Sequence, residues 1–388
     1  MRPMKQPLKI LYISHTAGLA GAEICLFNLV KYLDRDRFEP VVVFPADGPL
    51  KEKIAAFGIA TYITPLAWWV RGEGPLNISD YPQEVRIEKL CKIIEQEKQD
   101  LIQTNTTVIV DSAVAAAQMK IPHIWHVHEI LDGHPTLSPV LPYPMFYKTI
   151  EELSQGVIVV SNRARQELSK YLPLDRITTI HNGIAFEPRL KTTEPSLREE
   201  LSLPEKAVIA ITVSTLCRYK GHDNLVRAVP NVLKVNPNVH FVHVGPATEG
   251  DLQNIIEMAN DLGVQENIHY LGYRDNIPSL LAQSDLFVLP SVREAFPLVV
   301  LEAMAAAKAV VATDCCGPAE MIEDGVTGFI VPVNDPAALA TRILEAVEDK
   351  ALLSKMGMQG KKTFEQKFTI EPYVNAFSHF YEKKISPP

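Results

Sequence analysis

Residues 293–305 read REAFPLVVLEAMA, a run that is apolar apart from Arg293 and two glutamates, Glu294 and Glu302. A carboxylate drawn out of water is costly unless something pairs with it. Pro297 suits the first position of a helix, and LVVLEAMAAA continues with strong helix formers on every side, which predicts a buried helix. The first amides of such a helix, near Leu298 and Val299, are open to an anion. Glu294 then sits in the loop before the helix and Glu302 inside it. The two carboxylates can accept hydrogen bonds from hydroxyls at opposite ends of a ligand whose phosphates lie between them. The competing reading has Glu302 capping a neighbouring loop or pairing with an arginine.

Outward from this stretch, short β-branched runs alternate with helix-length segments through most of the 388 residues. Toward the N-terminus the strand candidates are KILYIS, PVVVF, ATYIT, LIQT, HIWHV, GVIVV and ITTI. Helical patterns such as AEICLFNLVKYL and VRIEKLCKIIEQEK separate them. Strands apolar on both faces and divided by helices mean a parallel sheet with helices on its two sides. The rhythm lapses in the polar, proline-containing segment 187–206, EPRLKTTEPSLREELSLPEK, read as a linker. It resumes with AVIAITVS, HFVHVG, NIHYLG, DLFVLP, AVVAT and GFIVP. The expected fold class is therefore α/β, with two Rossmann-like domains in tandem and a cleft between them where ligands gather. The expected division is 1–190, completed by a C-terminal helix at 371–388, and 191–370. The tail EPYVNAFSHFYEKK supplies that helix, with apolar positions three to four apart.

Composition narrows the function classes. Hydrophobic residues make up 47% and charged residues 22%, ordinary for a globular protein, and the net charge of −8 argues against a broad nucleic-acid surface. The five cysteines are odd in number and lack CxxC or zinc spacing, which suits a reducing cytosol. The opening MRPMKQPLKILYIS carries too short an apolar run for a signal-peptide core and reads as a first strand, Leu8–Ile13. No stretch approaches the ~18 apolar residues of a membrane-spanning helix. A cytoplasmic location is expected, with contact at the inner membrane face left open. Oligomeric state is not legible.

Three more places can carry chemistry. The first strand runs into SHTAGLAGAE (14–23), where Gly18 and Gly21 let backbone approach a ligand beside a helix start. The spacing is not G-x-G-x-x-G. The second strand, PVVVFPADG, lacks the acidic residue at its end that would hold an adenosine ribose, which argues against a dinucleotide cofactor. A glycine turn with no ligand is the alternative. The second domain opens with VSTLCRYKGHDNLV, in which Arg218 and Lys220 stand beside a helix start at the carboxyl end of a strand. That arrangement suits a diphosphate, a solvated basic loop being the alternative. HIWHVHEI (123–130) places three histidines and a glutamate at a strand end, and its HxH pair offers two metal ligands. Asp34-Arg35-Asp36 imitates a DxD metal motif but falls in a charged turn after the first helix and is discounted.

Together these segments resemble the retaining glycosyltransferases of the GT-B fold, and most of all glycosyltransferase family 4. The E-x7-E pattern from Glu294 to Glu302 is that family's signature. GYRDNIPSLLAQSDLFVLPS (272–291), GPAEMIEDGVTGFIVP (317–332) and HNGI (181–184) match its usual text. The resemblance covers nearly the whole chain and is strongest from about 205 to 335. It implies that Glu302 binds the ribose hydroxyls of a nucleotide and Glu294 the transferred sugar. Lys220 then holds the diphosphate with the amides near Leu298 and Val299, and Phe296 and Pro297 complete that donor-binding loop. The Gly18–Gly21 turn closes over the phosphates, and Tyr273 and Arg274 lie near the base. Family members carry a histidine near the reacting sugar, for which His128 is the best match and His126 the second. A core histidine is the alternative for His128. Many members read G-R-L-x-x-x-K-G where this chain has S-T-L-C-R-Y-K-G (214–221). Thr215 occupies the usual arginine's place, and Arg218 is the candidate for the second positive charge.

The resemblance implies transfer of a sugar from a nucleotide-diphosphate sugar to a glycan, lipid-linked or small-molecule acceptor, with retention at the anomeric carbon. No cofactor and no metal are expected, and attack is on the front face, assisted by the leaving phosphate. His128, Glu294, Arg218 and Lys220 are the candidate catalytic residues. The competing functions are an epimerase or hydrolase of nucleotide sugars on the same fold, and a non-catalytic binding module. Two long aromatic- and proline-rich segments, 65–83 and 131–147, are candidates for the acceptor. Their Trp68 and Trp69 either stack on a sugar or touch lipid, or are buried.

Overall fold

The computed structural model describes residues 6–72, 79–187 and 195–385. The chain divides into two compact units, one running to Gly183 and including the segment from Ile370, the other spanning Ile184–Thr369. The division falls after Gly183 rather than at 190. Ile184 already pairs with Thr369, and its N–H donates to Phe368 O at 3.1 Å, which ties it to the second unit. Of the expected linker, residues 188–194 lie outside the described residues. The remainder is not a bare connector. Ser196 and Glu199 form a reciprocal capping box on the short helix Leu197–Glu200, the first helix described in the second unit.

In the first unit the strands are β1 (Leu8–Ile13), β2 (Phe38–Phe44), β3 (Ala60–Ile63), β4 (Val70–Arg71), β5 (Leu101–Asn105), β6 (His123–Val127), β7 (Ser138–Pro139), β8 (Gly156–Val159) and β9 (Ile177–Thr179). Seven of them make one sheet in the order β3-β2-β1-β5-β6-β8-β9, parallel throughout. The short β4 and β7 pair antiparallel, Val70 opposite Pro139 and Arg71 opposite Ser138, and so join the two irregular segments.

The second unit holds β10 (Val208–Val213), β11 (Val239–Val244), β12 (Ile268–Tyr270), β13 (Leu286–Leu289), β14 (Ala309–Thr313) and β15 (Gly328–Val331). They form a parallel sheet in the order β12-β11-β10-β13-β14-β15. Each sheet reverses its order once, beside β1 and beside β10. Ligands of open α/β sheets bind outside the carboxyl ends of strands at such points. The chain leaves β1 into SHTAGLAGAE and β10 into STLCRYKG.

The C-terminal helix Ile370–Ile385 packs on the first unit. Ile370, Tyr373, Val374, Phe377, Phe380 and Tyr381 bury themselves in the cluster built by Ile10, Tyr12, Leu26 and Val42. Polar ends of its aromatics find partners there. The Tyr381 hydroxyl donates to Gln103 Oε1 at 2.7 Å and lies 3.2 Å from the Tyr12 hydroxyl, and Tyr373 donates to Cys25 O at 3.3 Å. Among the described residues no helix is long and apolar enough to cross a membrane.

Phe377 is fully buried against His126, Tyr373 and Tyr381. Phe377→Ala should cost the first unit about 3–5 kcal/mol. All three tryptophans (Trp68, Trp69 and Trp125) lie in that unit. The loss should therefore show as a lower urea midpoint by tryptophan fluorescence, and an unchanged midpoint would separate this helix from the unit's core.

Candidate functional site

Three loops at the carboxyl ends of β10, β13 and β14 are stitched together. After β10 the turn Arg218–Lys220 leads to Gly221, whose φ is +70° and where a Cβ would stand 2.0 Å from Pro290 O. Only glycine allows both that conformation and that approach. Val292 N–H donates to Tyr219 O at 2.8 Å, which fastens the turn to the loop after β13. That loop is fastened in turn to the one after β14. Glu294 N–H donates to Cys315 O, and Gly317 N–H donates to Glu294 O, both at 2.8 Å. A Cβ on Gly317 would stand 2.4 Å from Ala295 O, so this contact also needs glycine.

This stitching brings Lys220 to Glu294, with Nζ 2.6 Å from Oε1. Ser291 Oγ donates to the same oxygen at 3.0 Å. Burial opposes the charge on Lys220, but the charge of Glu294 and its hydrogen bond more than offset that and hold the ammonium above its ordinary pKa. The first glutamate of the motif is thus paired.

The second is not. Glu302 lies in the helix Leu298–Ala305, is partly accessible, and has neither hydrogen bond nor ion pair among the described residues. Burial pushes its carboxyl up to about 7. Neither a capped loop nor an arginine accounts for it. Pro297 is the cap of this helix rather than its first residue, because its ψ of 123° is extended. The amides of Leu298 and Val299 follow it and donate to nothing among the described residues. Phe296 is buried just before them.

Other expected residues stand apart from this cluster. Arg218 and Thr215 are exposed, and Arg218 makes no ion pair among the described residues. Tyr273 is 66% exposed, and Arg274 pairs with Glu200. Ser291 was not singled out in the sequence, although it closes the segment 272–291.

In the first unit, Gly21 begins the helix Gly21–Tyr32, and a Cβ there would meet nothing within 4 Å, so there is open space beside this position. Gly18 N–H donates to Thr16 Oγ1 at 3.3 Å. The turn is held from below by Glu23, a buried carboxylate that the sequence reading passed over. Its Oε1 receives the Thr16 hydroxyl and lies 3.2 Å from His15 Nε2, while its buried Oε2 has no partner. At the end of β6, His128 Nε2 lies 2.9 Å from Asn105 Oδ1 and 3.2 Å from His126 Nδ1. Burial, reinforced by His126 and His15, pushes His128 well below the ordinary imidazole pKa, and burial pushes His126 down to about 3. His126 is fully buried against Phe377, whereas His128 is partly accessible. Among the described residues no three His, Cys, Asp or Glu side chains are arranged to hold a metal.

The tryptophan pair is divided. Trp69 is buried against Phe146, with ring centroids 4.4 Å apart, and donates to Thr107 O at 2.6 Å. Trp68 is partly exposed, its ring 5.6 Å from that of His15. Residues 73–78 of the first irregular segment lie outside the described residues. The Asp34-Arg35-Asp36 triplet is a local turn, with Asp36 N–H donating to Asp34 Oδ1 at 3.0 Å.

Two family models match the chain, one described as Glycosyltransferase Family 4 over residues 19–187 and one as Glycosyl transferases group 1 over 193–363. N-acetyl-alpha-D-glucosaminyl L-malate synthase of Bacillus anthracis is 25% identical over 303 residues, 76% of this chain and 77% of its own. An Escherichia coli UDP-Gal:alpha-D-GlcNAc-diphosphoundecaprenol alpha-1,3-galactosyltransferase is 24% identical over 365 residues, 91% of each chain. Among solved structures, Anabaena HepE in complex with UDP superposes with a TM-score of 0.80 at 25% identity, covering 97% of this chain and 100% of its own.

Glu302 ionises near pH 7 in the folded chain, against an ordinary 4.5, so its contribution to stability is full below pH 4.5 and is lost as pH rises through 7. Glu302→Gln cannot ionise. It should match the parent chain near pH 4 and exceed it by about 3 kcal/mol near pH 8, at ~1.4 kcal/mol per pKa unit. Scanning calorimetry at the two pH values checks this, and a difference independent of pH contradicts it.

Proposed function

We propose that this chain, which belongs to glycosyltransferase family 4 on the two models that between them match 19–187 and 193–363, retains the anomeric configuration of its donor and needs no metal. The reaction is transfer of a sugar from a nucleotide-diphosphate sugar to an acceptor hydroxyl. The observation that carries the residue roles is the contrast between the two glutamates. Glu302 is a carboxylate without a partner among the described residues, in the helix whose first amides donate to nothing there, and Glu294 is already bound to Lys220.

Ribose hydroxyls are donors, and Glu302 can accept from two of them without first breaking another contact. The diphosphate takes the amides of Leu298 and Val299 and draws Lys220 away from Glu294. Glu294 is thereby released toward the hydroxyls of the sugar. As the bond to the anomeric carbon breaks, charge gathers on the leaving diphosphate, where Lys220 and the helix amides already point. Arg218 is the further cation available at this turn. Tyr273 and Arg274 are assigned to the base, His128 and the Gly18–Gly21 turn to the sugar and the phosphates. These assignments follow the family pattern. No residue is required as a covalent nucleophile, so the acceptor attacks on the face the diphosphate leaves, its proton passing to that phosphate.

HepE is described with UDP and with UDP-glucose, and the E. coli relative uses UDP-Gal, so uridine diphosphate sugars are the donors to try first. The acceptor is a glycan, lipid-linked or small hydroxyl compound. The five free cysteines suit a cytoplasmic location, which belongs to the same reading.

A thermal-shift screen over UDP-, GDP- and ADP-sugars finds the donor, since a ligand at 100 times its Kd stabilises by ~2.7 kcal/mol. Incubation with the donor then separates transfer from hydrolysis or epimerisation by product, and the anomeric proton coupling of the product should match that of the donor. Inversion would overturn the retaining reading. Glu302→Gln should weaken free nucleoside diphosphate about tenfold, ~1.4 kcal/mol, as charge-assisted hydrogen bonds are reduced. Glu294→Gln should leave that affinity within a few fold and cut turnover. Equal loss of diphosphate binding in both variants, read by calorimetry, would remove the division between ribose and sugar.

A further inference from the structure

We infer that Asn105 is a positioning residue that decides which nitrogen of His128 carries the proton, so that the ring offers a bare Nδ1 to a hydroxyl of the substrates. The inference rests on the proposed transfer and adds to it the polarity of the group that His128 can engage.

Asn105 is the last residue of β5, fully buried, beside His126 in the parallel register. Its Nδ2 donates to Ala22 O at 3.0 Å. A carbonyl oxygen can only accept, so the amide cannot be turned the other way, and Oδ1 must face His128. Oδ1 also only accepts, and it lies 2.9 Å from His128 Nε2. The proton of the neutral ring is therefore on Nε2. His126 Nδ1, 3.2 Å from the same atom, must then be unprotonated, which leaves its proton on the buried Nε2.

His128 Nδ1 has no partner among the described residues and is not sealed from solvent. A second proton there would make the ring cationic, which burial, His126 and His15 all oppose. The nearby carboxylates do not reverse this. Glu129 is turned to backbone and hydroxyl donors, at His128 N–H and at Thr107, and Glu23 is engaged by His15 and Thr16. What remains is a hydrogen-bond acceptor in a fixed tautomer. Its natural partner is a hydroxyl that donates, on the acceptor or on the transferred sugar, and not an anionic phosphate oxygen.

The full-length chain carrying 15N-labelled histidine decides this by long-range proton–nitrogen correlation, with the His128 signals assigned by their absence in His128→Gln. The expected spectrum shows Nε2 protonated and Nδ1 bare at pH 7. In Asn105→Ala the two tautomers should mix, and kcat should fall roughly ten- to hundred-fold through loss of alignment. Affinity for free nucleoside diphosphate, which the second unit's Lys220 and Glu302 are proposed to bind, should be unchanged. A protonated Nδ1 in the parent chain, or an unchanged kcat in Asn105→Ala, overturns the inference. If Asn105→Ala does not fold, the parent spectrum decides alone. Absence of turnover with every nucleotide sugar would defeat the transferase reading and leave the tautomer still determined.

Discussion

A carboxylate without a partner in an apolar helix is a cost that folding alone does not recover. Glu302 carries that cost in the second unit, and its proton affinity registers it, pushed up toward neutrality by burial. The neighbouring carboxylate is treated differently. Glu294 is held by Lys220 and Ser291, and its backbone is laced to the loop after β14. One glutamate waits and the other is occupied.

The parallel sheets make the asymmetry possible. Each strand ends at the same edge, so loops distant in sequence meet there, and glycines at 221 and 317 let them meet backbone to backbone. Lys220 and Glu294 are 74 residues apart and share a hydrogen bond because β10 and β13 are neighbours. In the first unit the same geometry gathers β1, β5 and β6 ends, and with them His15, Glu23, Asn105 and His128. Those four form two short chains of hydrogen bonds, His15 to Glu23 and His128 to Asn105 to Ala22.

Every strand of both large sheets was legible as a short β-branched run, most plainly the central ones, which are buried on two faces and carry no polar alternation to obscure them. The β4–β7 pair was not, since two residues on each side carry no pattern and their pairing joins distant loops. The boundary near 190 was misplaced because Ile184 looks like loop but pairs with Thr369, a contact no local signal announces. At the site, residue types and spacing pointed to Glu294, Glu302 and Lys220. The ion pair between two of them was not visible, because partners in space are set by strand order. Glu23 and Asn105 were missed for the same reason. Each is an ordinary polar residue until the turn after β1 folds over it.

Proton linkage tests the central claim, that Glu302 waits unpaired for hydroxyl donors. Near pH 7 its carboxyl is about half protonated, and hydroxyls that donate to it favour the ionised form. Calorimetric titration of nucleoside diphosphate in buffers of different ionisation enthalpy, on the parent chain and on Glu302→Gln, isolates this group from the protons of the ligand itself. The account predicts that the parent chain releases roughly half a proton more than the variant on binding near pH 7. Equal proton release by the two chains would contradict it.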